Sequence, residues 1–426
     1  MFDALPRYTD YEPAVPIWCV TPNAGGCLHR FFDTSPISPS GRYLACLRLP
    51  FEDRRPQPGQ AAAVVLVDLH DGRERVVAET SGWEPQMGAN INWGADDDTL
   101  LFNDVDATTW QSHCVVLNPH TGQKRTAGCG IYHASPDGRK VACANLAAMR
   151  RTQGGYGVVV PDDRVPRHVG PPEDDGLWVT DLESGECRLL VSVAECFRRC
   201  QPATDLAVDD RHEYYGFHCK WNRQGTRMIF TVRSYEVDEQ ASQMEVMHTR
   251  RWGTLRYNVF TLDNDASEIH LAVGAEHWDR GGHHINFFPD GEHLSMNLGI
   301  EGKEGLRLVQ CRYDGTGLGP ILPDLPGSGH PTVHPDGRHI LTDDYAHGPF
   351  ADDDGTTPLR WIDVQTGEDR QIARFRTRTP HQKDIASLRV DPHPAWDRSN
   401  RFVAFNAFVD GTRRVYIADM SELIDR

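Results

Sequence analysis

Seven segments of this chain repeat one pattern: DTSPISPSG, ANINWGADD, IYHASPDG, FHCKWNRQG, HHINFFPDG, GHPTVHPDG and PHPAWDRSN. After each come an alternating apolar run, a variable loop, another apolar run, and a second turn such as HDG, HTG, ESG or QTG. Alternation of period two bounded by Gly, Asp, Asn and Pro is the strand signal, and the Asp-Gly and Ser-Gly turns tolerate positive φ. Each unit therefore reads as a four-stranded antiparallel sheet. Seven such units, each too small to bury its own faces, close into a ring. The expected fold is all-β, a seven-bladed β-propeller of four-stranded antiparallel blades, with residues 1–426 forming one domain. Two packed β-sandwich domains are the less favoured alternative.

The blades are expected to start near Thr34, Asn90, Ile131, His218, His284, His330 and His393. The third carries an insertion around Arg150 to Pro172. The last offers only three strands, DPHPAW, RFVAFNAF and RRVYIADM. VPIWCV, at 15–20, is expected to supply the fourth, closing the last blade with an N-terminal strand and removing the edge of an open ring.

Composition narrows the function. A formal net charge of −17 argues against a nucleic-acid partner, and it means that an anionic ligand needs a strong local positive site. No apolar run approaches membrane-spanning length, so no membrane partner is expected. The start, MFDALPRYTDYEP, lacks a basic and apolar leader. The 11 cysteines are scattered singly, several in strand runs (Cys46, Cys143, Cys219), where they read as small buried hydrophobes. Together these suit a reducing, cytoplasmic location. Oligomeric state leaves no mark in the sequence.

A propeller exposes its loops on two faces. The short turns (SPSG, HDGR, NPHTG, PDGR, ESGE, QTGE) lie on one, with His70, His120, His334 and His339, to which no role is assigned. The opposite loops are long and hold His29, His113, Arg150, Arg151, Tyr156, Tyr214, Tyr215, Arg233 and His347. The leading ends of the inner strands, with His133, His218, His284, His330 and His393, open on that same face. Scaffolds carry sites where long loops and functional residues coincide. A single propeller histidine is more often structural than not; several at one phase of the repeat are less easily dismissed.

His284, His330 and His393 come from three successive blades, with Asp391 beside them. Neutral imidazoles converging with a carboxylate suit a divalent ion: Mn2+, Ca2+ or Zn2+. Adjacent Arg150 and Arg151 make a carboxylate clamp through planar forked donors, and a nearby Tyr and His can serve as base and acid. Cation, clamp and Tyr/His pair together describe β-elimination beside a uronic acid carboxylate, whose neutralisation stabilises the enolate-like intermediate. Hydrolysis would want paired carboxylates instead. No such pair stands out, although Asp174, Asp175, Asp343 and Asp344 are available.

These repeats resemble the seven-bladed propeller polysaccharide lyases: oligogalacturonate lyases and their relatives acting on ulvan and on rhamnosyl-glucuronate ends. The resemblance runs from about His29 to the end, and VDPHPAWDRSNRFVAFN is its best marker. Oligogalacturonate lyases carry Gln-x-x-His-Pro-His there as metal ligands. His393 keeps the last histidine, Asp391 stands at the first, and Leu388 stands at the glutamine. His330 matches the further ligand in the preceding blade. The other relatives use two histidines on neighbouring blades with an Arg and a Tyr. His113 and His133, 20 residues apart, resemble that pair, with Arg150 or Arg151 and Tyr156, Tyr214 or Tyr215 as the remainder. The resemblance implies a carbohydrate lyase acting on an anionic, uronate-containing oligosaccharide. The alternatives are a metal-dependent hydrolase or lactonase on the same scaffold, and a non-catalytic TolB-like binding propeller.

Overall fold

The computed structural model describes residues 2–204, 209–237, 255–278 and 280–425. Seven four-stranded antiparallel sheets follow one another along the chain. Six are built from strands in chain order; the third, for example, runs His133–Ala134, Lys140–Cys143, Gly176–Asp181 and Cys187–Ser192. The seventh combines Ala395–Trp396, Phe402–Val409 and Thr412–Asp419 with the N-terminal strand Ile17–Cys19. Ile17, Trp18 and Cys19 pair with Ala418, Ile417 and Tyr416, so both ends of the chain close one sheet, as the missing fourth strand required.

Each blade packs both faces against its neighbours, which is why alternate apolar residues sort to two cores. Leu44, Cys46, Val65 and Val67 of the first blade meet Ala404, Val415 and Ile417 of the seventh. Burying each such branched side chain stabilises the ring by roughly 1.5–3 kcal/mol. No helix among the described residues is long and apolar enough to cross a membrane.

Three features depart from expectation. The first blade begins at Cys27–Leu28, ahead of Thr34, and is rejoined to its second strand only by the Ile37–Leu44 bridge. The intervening residues turn inward and seat Phe31 and Phe32, both fully buried, on the axis. The fourth blade begins at His212, and its ten-residue inner strand accommodates a bulge between Gly216 and Cys219. Finally, Cys129 and Cys187 form a disulfide, which corrects the reading of all the cysteines as isolated; the other nine are free and buried.

Candidate metal centre and its surroundings

The inner strands share one phase. Trp93, Ala134, Trp221, Phe287, Val333 and Trp396 end the inner strands or lie at their last paired residues. Three residues earlier stand Asn90, Ile131, His218, His284, His330 and His393. At Asn90, His284 and His393 the backbone is left-handed, with φ of 50°, 62° and 51°. Non-glycine residues held there cost of order 1–3 kcal/mol and collect at functional sites. The rings meet around Phe31, whose centroid is 5.3 Å from that of His218, 5.7 Å from His284, 5.6 Å from His330 and 4.6 Å from His393. Imidazoles 175 residues apart in sequence thus become neighbours.

Among the described residues, His330, Asp391 and His393 each offer a ligand atom within 4.8 Å of the others, and all three are buried. Their outer partners fix the orientation of the rings. Nδ1 of His330 lies 2.9 Å from both carboxylate oxygens of Asp343, which also accepts the His330 backbone N–H. Nδ1 of His393 donates to the Arg30 carbonyl at 3.0 Å. Nε2 of each ring is buried without a hydrogen-bond partner. An imidazole held by a carboxylate on one nitrogen and bare on the other is the arrangement of a metal ligand with its supporting shell. Two imidazoles and a carboxylate fit a divalent transition ion by donor chemistry. Burial, with the neighbouring His330 next, pushes the His393 ring toward its neutral, metal-binding form.

His284 stacks on His330 with centroids 3.9 Å apart but lies outside that donor group. Its Nδ1 donates to the Gly329 carbonyl at 2.7 Å. The Tyr345 hydroxyl lies 3.2 Å from its Nδ1 and 3.3 Å from its Nε2. Burial drives the two groups in opposite directions: the imidazole toward neutrality and the phenol, reinforced by Asp391, toward staying protonated. Arg389 completes the surroundings, donating from Nε to Asp391 at 2.9 Å and from its terminal nitrogen to the Tyr156 hydroxyl at 3.2 Å. Burial works against its charge, and the Asp391 carboxylate together with Tyr156 and Tyr345 more than offsets that. Tyr156 in turn lines a small cleft with Glu84, Arg55, Arg150 and Ser387.

The structure does not bring His113 and His133 together. His113 is half-buried on Ser112–Leu117, the third strand of its blade. His133 aligns with Ala395 and so falls two residues past the phase of His393, about 7 Å further along an extended strand. It lines an axial cavity of about 460 Å³ that opens among the short turns, with Asn92, Asn286 and Thr332. This corrects its placement on the long-loop face. Phe31, Phe32 and a buried Arg30–Asp33–Lys220 ion cluster lie along the axis between the two mouths. Twenty residues of sequence span a blade boundary here, and spacing alone does not report which strand of the blade holds each histidine.

The two clamp arginines are already engaged. Arg150 donates to the Val160 carbonyl and faces Asp162 at 3.6 Å; Arg151 faces the buried Glu213 at 3.7 Å. Tyr215 donates to the same Glu213 at 2.8 Å, in a cluster that also holds Arg167. Tyr214 is buried against Phe197, 5.6 Å between centroids. Tyr345 and Arg389 were missed; His29 and Asp343 were noted, on the long-loop face and as a spare carboxylate, but given no part in the metal centre. The Asp343-Asp344-Tyr345 run, directly after the strand His339–Thr342 of the His330 blade, was the available signal for two of them.

No protein-family model matches the sequence, and no curated protein matches it. Solved structures do. An oligogalacturonate lyase in complex with manganese is 14% identical, covers 99% of this chain and 97% of its own, and superposes with a TM-score of 0.62. An oligogalacturonate lyase from Vibrio parahaemolyticus is 13% identical over 98% of this chain and 96% of its own, with a TM-score of 0.63. The β-propeller domain of the trilobed protease from Pyrococcus furiosus is 12% identical over 93% of this chain and 96% of its own, at 0.50. The chain shares the propeller fold of these proteins. At this identity the likeness speaks to the fold, and the chemistry must come from the site.

Proposed function

We propose that the protein is a lyase that cleaves a short uronate-containing oligosaccharide by β-elimination. The observation that carries this reading is the buried donor group His330, Asp391 and His393 lying against the His284–Tyr345 pair. The manganese bound by a lyase of the same fold supports it. His330, His393 and Asp391 would hold a divalent ion (Mn2+, Ca2+ or Zn2+), which when bound supplies positive charge against the carboxylate next to the acidic C5–H.

The chain's own groups do the rest. Nε2 of His284, kept neutral by burial and left as the accepting nitrogen by the Nδ1–Gly329 bond, takes the C5 proton. The C–H pair becomes the C4=C5 double bond and the C4–O bond breaks. The Tyr345 hydroxyl, kept protonated, gives its proton to the leaving oxygen. The 3.3 Å contact between Tyr345 and His284 Nε2 then returns the proton and resets both groups. Arg389 holds Asp391 in place and anchors Tyr156, which keeps Tyr156 as a partner residue. Arg150 and Arg151 are committed to Asp162 and Glu213, whereas Arg233, buried over Phe217 and Tyr257, donates only to the neutral oxygens of Thr152 and Gln153 and has no carboxylate partner among the described residues. It is the better cation for a substrate carboxylate.

Incubating the protein with oligogalacturonate, ulvan oligosaccharide and rhamnosyl-glucuronate, each with added Mn2+, should produce the ultraviolet absorbance of an unsaturated uronate with at least one. No absorbance change with any of them removes the lyase reading; fragments released without a new double bond would put a hydrolase in its place.

A further inference from the structure

His29 is fully buried, 1% exposed, and neither of its ring nitrogens has a hydrogen-bond partner. An interior imidazole without a well-formed hydrogen bond is unusual, because buried polar atoms almost always find a partner. The other rings of the cluster show what a structural histidine does here. His330, His393 and His284 all tie Nδ1 to an oxygen. His29 makes no such close bond; only the Pro392 carbonyl approaches its ring, weakly, and burial keeps the ring neutral, with a value near 3.

Its position is set by the donor segment itself. The Asn406 side chain accepts the His29 backbone N–H at 2.9 Å and reaches the carbonyls of His29 and Asp391, both at 3.4 Å. The next carbonyl, that of Arg30, is the one that orients His393. The His29 ring feels both His330 and the backbone of Pro392, the residue between Asp391 and His393. Meanwhile Leu388, at the glutamine position of the resembling motif, is 2% exposed and has no donor atom in its side chain. Three donors gather at the centre, and His29 is a further ligand-capable ring whose backbone is tied through Asn406 to the same segment.

We infer that His29 completes the centre as a fourth ligand, giving three imidazoles and one carboxylate. This rests on the metal reading above. Its nitrogens lie outside the 4.8 Å group, so ligation requires the ring to move toward the ion. A nitrogen-rich set of this kind takes a transition ion of the Zn2+, Co2+ or Mn2+ class and disfavours Ca2+, which prefers six to eight oxygens. The inward excursion of residues 29–36 then has a purpose beyond filling the axis: it delivers a ligand from the first blade to a site built by the sixth and seventh.

Titration of the metal-free full chain with Co2+ tests this without any assay of activity. The wild type should bind one equivalent, with the visible absorption of a protein-bound ion. His29→Ala and His29→Gln should each bind at least about tenfold more weakly and show an altered spectrum; His120→Ala, at an exposed turn, should match the wild type. Circular dichroism of the apo variants establishes that they fold, and the glutamine variant keeps side-chain volume. Unchanged affinity and spectrum in both His29 variants overturns the inference while leaving the three-residue centre standing. Failure of the wild type itself to bind Co2+ overturns the metal reading and this inference with it.

Discussion

Asp343→Asn is the sharpest probe of the centre, because it changes charge without changing shape. Asp343 is fully buried, touches no proposed ligand atom of the ion, and holds His330 Nδ1 at 2.9 Å through both oxygens. An asparagine can still accept the His330 backbone N–H, which now reaches Oδ1 at 2.6 Å, so the fold should persist. What is lost is the anion that keeps the proton on Nδ1 and raises the basicity of Nε2. Outer partners of this kind contribute a factor of about 10–100 to metal affinity, equivalent to about 1.4–2.7 kcal/mol. Competition with a chromophoric chelator for Zn2+ or Mn2+ should show that loss in Asp343→Asn, and His330→Ala should lose binding altogether. If the asparagine variant competes as well as the wild type while His330→Ala does not bind, the carboxylate is structural and the supporting-shell argument is wrong.

Gly329→Ala should destabilise the fold and disrupt the site, since a Cβ there would lie 2.0 Å from the Asp343 carbonyl on a backbone with φ of +66°; chemical denaturation and metal titration would both report it. Phe31→Ala should cost about 3–5 kcal/mol in a urea melt and loosen the metal centre, because the ring is wholly buried against four histidines. The metal-free protein should weaken as pH falls below 6.5. His29, near 3, and His284 and His393, both depressed by burial, stay neutral when folded, so the unfolded chain binds more protons and acid favours it. Each contributes up to about 1.4 kcal/mol per pH unit, and denaturation midpoints at pH 7, 6 and 5 would test the slope.

Blade number, strand polarity and closure by VPIWCV were legible because they are local. Period-two alternation assigns side chains to two faces, turn residues punctuate it, and a last unit with three strands announces its missing partner. The gathering of His330, Asp391 and His393 was legible for the same reason, since His330 and His393 share a phase of the repeat, and Asp391 lies two residues before His393. The His113–His133 pair was not. Spacing across a blade boundary does not distinguish an inner strand from a third strand, and a shift of two residues carries His133 to the other mouth of the axis.

The sequence by itself determined how many sheets there are and which residues of each point to the axis, because both follow from short-range chemistry repeated seven times. Only the tertiary structure decided which polar groups meet there. Arg150 and Arg151 find Asp162 and Glu213, Tyr345 finds His284, Arg389 finds Asp391, and His29 is carried inward to the Pro392 backbone. Those pairings depend on the paths of irregular segments, where no periodicity constrains the chain and contacts are chosen by burial and by charge.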